Sequence, residues 1–138
     1  MEENSLGLAA FKSKPKIDTA KYDGTRTTIA KVYKGEDFSD YNEEGILVPG
    51  LQRLVPVVFI ETANIAAQGE EEITVKVRVN LKMNNGVLGY SLHPKATAAK
   101  ILAKFQVENF EALIGKSCLV VEKTNPEHPD RKWLAIQY

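Results

Sequence analysis

The chain is poor in the residues that build covalent or metal chemistry. Cys118 is its single cysteine, so an intrachain disulfide, a thiolate zinc site and a CxxC redox pair are excluded, and a reducing compartment is expected. Cys118 opens an apolar stretch with Leu119 and Val120 and no basic partner beside it, which reads as core rather than nucleophile. The two histidines, His93 and His128, each stand directly before a proline; a metal centre built on them needs long-range convergence, and both read as turn residues. Asp37, Asp40, Asn42, Glu43 and Glu44 offer oxygens, but their spacing lacks the central glycine of a calcium-binding loop. The glycines form neither a P-loop nor a dinucleotide fingerprint. No cofactor, metal or catalytic residue is therefore expected. A small hydrolase whose carboxylates meet only in the fold is the lowest-ranked reading.

Long apolar runs are also missing. The strongest, Leu54–Ile60, contains Pro56 and falls far short of the ~20 residues a membrane-crossing helix needs. Glu2 and Glu3 stand where a secretory signal carries positive charge, so a cytoplasmic location is expected. Formal net charge is zero, which argues against a generic basic DNA-coating surface. The distribution is uneven, however. Between Ile73 and Val107 there is no acid but six bases, Lys76, Arg78, Lys82, Lys95, Lys100 and Lys104, whereas Gly35–Gln52 holds five acids and no base.

What remains is the pattern of one ordinary domain, with 43% hydrophobic and 26% charged residues. Residues 1–22 show no sustained periodicity; Lys12, Lys14 and Lys16 alternate around Pro15, and the segment reads as a flexible basic arm preceding a domain at 23–138. Thr25–Tyr33 is β-branched and aromatic and stops at Gly35, the first strand. A long acidic loop follows at 35–53, punctuated by Gly45, Pro49 and Gly50. Its aromatics, Phe38 and Tyr41, either stack on a ligand or fold back to anchor the loop, and the general burial of aromatics favours anchoring. Leu54–Ala63 is a second strand, with Pro56 tolerated near its start.

Ile73, Val75, Val77, Val79, Leu81 and Met83 alternate with polar residues, placing them on a core face and Lys76, Arg78, Asn80 and Lys82 on a wet one. Asn84-Asn85-Gly86 then turns the chain into a short partner strand, Val87–Leu92. Ala98, Ile101, Leu102 and Phe105 form one stripe of an amphipathic helix. A second helical piece at Asn109–Ile114 is capped by Asn109 and stopped by Gly115. Strands at Ser117–Glu122 and Lys132–Tyr138 finish the chain around a polar loop at 125–130.

The expected fold is thus mainly β with one embedded helical segment. Its order, with the helix ahead of the last two strands and Leu113-Ile114-Gly115-Lys116 leading back into the sheet, resembles the oligonucleotide/oligosaccharide-binding (OB) fold, a small five-stranded Greek-key barrel. The resemblance covers about Thr25–Tyr138 and rests on element order. It implies a single-stranded DNA- or RNA-binding protein, an accessory to replication, repair or a mobile or viral element, without catalysis. Phosphate contacts fall to Lys76, Arg78, Asn80 and Lys82, and base stacking to Tyr33, Tyr90 and Trp133. Two plainer readings stand beside this. A basic strand face is often only a solvated one that discourages edge pairing, and Trp133 is often partial core. The main rival function is a structural or assembly protein, in which the acidic loop at 35–53 meets a basic partner or the basic face of another copy.

Overall fold

The computed structural model describes residues 17–138. Lys12, Lys14 and Lys16, the bases of the expected arm, lie outside them. The remaining part of that arm belongs to the folded domain. Asp18 caps a short 3-10 turn, Thr19–Lys21, by accepting the Ala20 N–H. Tyr22 is wholly buried beside Ile65, Val75 and Val120, and its hydroxyl donates to the Glu71 carbonyl. The folded domain therefore starts ahead of residue 23.

Seven strands and one helix follow: β1 (Arg26–Ser39), β2 (Arg53–Thr62), β3 (Lys76–Asn80), β4 (Lys82–Asn84), β5 (Val87–Gly89), α1 (Thr97–Phe105), β6 (Ser117–Thr124) and β7 (Lys132–Ile136). Five of the strands form one antiparallel sheet in the order β3-β2-β1-β6-β7, and β4 and β5 form a separate two-stranded ribbon. The chain is mainly β. The two ends of the sheet, β3 and β7, approach to within 8 Å between Cα atoms, but no hydrogen-bonded ladder joins them.

β1 is the organising strand. Its first residues, Arg26–Thr28, pair with β6, and from Ile29 onward it pairs with β2. The change of partner coincides with a bulge at Ala30, where the register to β2 slips between Ile29 and Lys31. An extra residue bends a strand and increases its twist, which lets one strand serve two neighbours. The strand also runs past Gly35 to Ser39, so the connection to β2 is shorter than the expected 35–53.

The expected continuous strand over 73–83 is interrupted. Ile73 makes only an isolated bridge to Ile65, and Leu81, inward and buried as its alternation expects, donates its N–H to the Pro56 carbonyl, where proline has no N–H to complete the pair. The break separates β3 from β4 and leaves Met83, assigned to the core by its alternation, 65% exposed. The ribbon turn is as expected: Asn85 and Gly86 both have positive φ, 51° and 77°, as a two-residue turn of this hand demands.

The main core lies between the inner face of the sheet and the helical elements. Ile29, Val58, Ile60 and Val79 meet Ala98, Ile101 and Leu102 of the α1 stripe, with Phe110 and Leu113 from the following turn. The helix ends at Gln106 in the left-handed region. The second helical piece is a single 3-10 turn, Glu111–Leu113, held by Asn109 Oδ1 accepting the Ala112 N–H at 2.9 Å. Cys118 is buried in the same core, and burial raises its thiol pKa, consistent with a packing role. The buried Thr62 hydroxyl is satisfied locally, accepting the Val75 N–H and donating to the Ala63 carbonyl.

Candidate nucleic-acid interface

Register decides which side chains share a face, because directly paired residues point the same way. On the outer face of the sheet, Tyr33 pairs with Phe59 and Phe59 with Arg78; one step along, Lys31 pairs with Glu61 and Glu61 with Lys76; one step the other way, Gly35 pairs with Val57 and Val57 with Asn80. Three of the four expected phosphate contacts, Lys76, Arg78 and Asn80, therefore stand on one exposed face with Tyr33. Lys82 does not join them. It lies beyond the break at Leu81, on the ribbon, opposite Gly89.

The centre of this face is an aromatic pair. The rings of Tyr33 and Phe59 are 5.4 Å apart and tilted by 43°, and Lys76 Nζ sits 4.7 Å from the centre of the Phe59 ring, within cation–π range. Tyr33 is fixed by donating its hydroxyl to Glu61 Oε2 at 3.1 Å, while the other Glu61 oxygen accepts from Thr74 at 3.1 Å. Partial burial, then the hydrogen bond to Glu61 and its charge, raise the Tyr33 pKa, so the ring carries a neutral phenol at physiological pH.

Arg78 is engaged within the protein. Its Nη1 lies 2.9 Å from Asp37 Oδ2 and donates to the Phe38 carbonyl at 2.9 Å. Asp37 also accepts the Phe38 N–H at 2.8 Å. The hydrogen bond from Arg78, followed by that backbone N–H, holds the Asp37 carboxyl below the usual carboxylate range. Arg78 thus ties the far end of β1 to β3, and part of its donor set is already used.

A cleft of about 370 Å³ opens along β1 on the core side of the sheet, lined by Val32, Lys34, Val58, Leu88, Tyr90 and Phe110 among others, and bordered by Tyr33. Tyr90 is half-buried there, edge-on to Phe110 with ring centres 4.8 Å apart. The volume falls in the range of small-molecule sites. Tyr33 borders the cleft, but its ring pairs with Phe59 on the outer face while Tyr90 packs against the core side, so these two expected stacking residues do not share a face. Trp133 stands apart. It lies on β7 opposite Lys123, 46% exposed, whereas the expected alternative for it was partial core. Among the described residues, no three His, Cys, Asp or Glu side chains converge as a metal site would require.

No protein family, curated protein or solved structure matches this chain.

Two features escape a reading of the sequence. Phe59 sits in an almost continuous apolar run, Leu54–Ile60, whose lack of alternation hides that the ring points outward; only the register opposite Tyr33 and Arg78 reveals it. Phe38 and Tyr41 do not anchor the loop. They are 60% and 52% exposed, because the loop is held by its own backbone and polar side chains, with Asn42 Oδ1 accepting the N–H groups of Glu44 and Ile46 and Asp40 Oδ1 accepting that of Gln52.

Proposed function

We propose that this protein binds single-stranded nucleic acid, without catalysis, across the outer face of β1, β2 and β3. The observation that carries the reading is the Tyr33–Phe59 pair, partly open to solvent on a strand face and bordered by the ammonium groups of Lys31 and Lys76. Bases stack on aromatic faces without regard to sequence, and lysines along the same face neutralise the phosphates between them. Tyr90 and Lys34 line a cleft on the opposite, core-side face of the same strands, and serve only a strand that continues around the sheet. Asn80 and Arg78 extend the track. Lys82 and Trp133 are peripheral to it and serve only a longer strand that passes around the domain.

An OB-like barrel is the architecture that suits this role. Supporting it are β1 divided between β2 and β6, the helix inserted ahead of β6, and the approach of β3 to β7. The aromatic face and the β1–β2 connection then correspond to the ligand side of such a barrel. The setting implied is intracellular, in replication, repair or a mobile element.

The deciding experiment is fluorescence anisotropy of a labelled mixed-sequence single strand, at low and near-physiological salt, with duplex as competitor. Salt-sensitive binding that prefers single strands is expected. Absence of binding at low salt, where attraction is strongest, overturns the reading.

A further inference from the structure

The β1–β2 hairpin carries its strand pairing beyond the core. Phe38 pairs with Leu54 on the same side of the sheet as the core pair Val32–Ile60, yet both are more than half exposed, at 60% and 53%. The connection beyond them displays Ile46, Leu47 and Val48, also exposed. Contiguous apolar surface on a soluble domain marks a contact site. This surface is also held in shape: Tyr41 bridges to Leu47, the Asn42 N–H donates to the Ile46 carbonyl at 2.9 Å, and the Val48 N–H donates to the Asp40 carbonyl at 2.7 Å. An ordered display loses little conformational entropy on docking. Glu36, Glu43 and Glu44 surround it, and among the described residues none of the three forms an ion pair.

A second exposed apolar surface has the opposite charge. The β4–β5 ribbon pairs only with itself, and it exposes apolar side chains on both faces, Met83 with its partner Leu88 on one and Val87 on the other. Lys82 stands on the ribbon itself, on the face of Val87, in a stretch from 73 to 107 that contains no acid.

We infer that these two surfaces are the halves of one contact between copies of this chain: the acidic, apolar tip of the β1–β2 hairpin docks on the basic, apolar β4–β5 ribbon of the next copy. Each copy carries one of each, so the contact is head-to-tail and propagates into a ring or a filament. Opposite charge sets the pairing and disfavours tip on tip or ribbon on ribbon, while the apolar side chains supply the affinity. The proposal goes beyond nucleic-acid binding and does not depend on it, so it is tested without nucleic acid.

Sedimentation equilibrium over a range of concentrations and salt tests it, with two double variants whose folding is checked by circular dichroism: Ile46→Ser with Leu47→Ser, and Met83→Ser with Val87→Ser. For the parent chain the mean mass should climb with concentration past twice 15.3 kDa, and fall as salt rises. Each double variant alone should lose at least about tenfold in association constant. Mixed together, the two variants should form a one-to-one dimer that grows no further, since only one competent tip and one competent ribbon remain. A parent that stays monomeric overturns the proposal, as does a ribbon variant that associates like the parent or a mixture that gives no dimer.

Discussion

The ring of Phe59 lies over the backbone of Gly35, so near that a Cβ on residue 35 would stand 2.8 Å from the Phe59 Cε2. Gly35 is not a strand stop but a mid-strand residue whose missing side chain gives the ring its place beside Tyr33. Gly35→Ala should therefore push Phe59 out of the aromatic pair while leaving the sheet intact. Stacking of one base contributes about 1–3 kcal/mol, and a displaced ring forfeits part of it, so single-strand affinity should fall by up to roughly tenfold. Phe59→Ala should cost at least as much. Anisotropy titrations compare the two, with a thermal melt to show that both variants fold. Unchanged affinity in Phe59→Ala removes the pair from the binding site.

Asp37 and Arg78 predict an increase rather than a loss. While Asp37 holds the guanidinium, Arg78 contributes little to phosphate binding, so Arg78→Gln should change the salt dependence less than Lys76→Gln. Lys76→Gln should lower the slope of log K against log salt by about 0.7, the value for one phosphate contact on a single strand. Asp37→Asn, which removes a nearby negative charge and frees Arg78, should tighten binding at low salt and steepen that slope by a similar amount. Weaker binding by Asp37→Asn would mean that the ion pair positions the face instead.

The same pair sets a pH dependence. Asp37 has its pKa lowered in the fold, first by Arg78 and then by the Phe38 N–H, so the native state binds a proton there less readily than the unfolded chain does. Its stabilising contribution is complete above the unfolded carboxyl's pKa and is lost as pH falls through the lower, folded value. Urea midpoints measured across the acid range should accordingly drop less steeply for Asp37→Asn than for the parent. Parallel curves would show that the pair adds nothing to stability.

Much of this architecture was legible from local signals. The α1 stripe, the Asn85-Gly86 turn and the last two strands follow from periodicity and turn chemistry that act within a few residues. What the sequence could not show depends on contacts between distant segments. The alternation over 73–83 continues through Met83, but opposite Leu81 stands Pro56, which has no N–H to continue the ladder. Beyond it the chain leaves β2 and pairs as a ribbon that carries Lys82 away from Lys76 and Arg78. The outward aim of Phe59 is set by register with β1 and β3, and the 3-10 turn at Thr19–Lys21 has too little periodicity to stand out. For the site, the residue types were readable, and their grouping into an aromatic face, a tethered arginine and a detached Lys82 was not.

Leu113 tests whether the short 3-10 turn is part of the core or only a connection. It is fully buried among Ile29, Phe110 and other members of the main cluster, so Leu113→Ala leaves a cavity in packed surroundings and should cost about 2–5 kcal/mol. Ile46→Ala, on the exposed tip, should stay within about 0.5 kcal/mol. Urea denaturation of dilute samples gives both values. A Leu113→Ala cost near that of Ile46→Ala would show that the turn detaches readily from the sheet.

Cys118 offers a probe of the same core without mutation. Its thiol is buried and its pKa raised by that burial, so it is both shielded from reagents and held in the unreactive, protonated form. Labelling with an aromatic disulfide at neutral pH should be slow in the native protein, and its rate should climb with urea in step with the population of opened molecules. Since the Cys118 side chain is buried in the main core with Ile101, Leu102 and Leu113, reaction requires that this core open. Fast labelling in the absence of urea would place the opening of the core around Cys118 well below global unfolding.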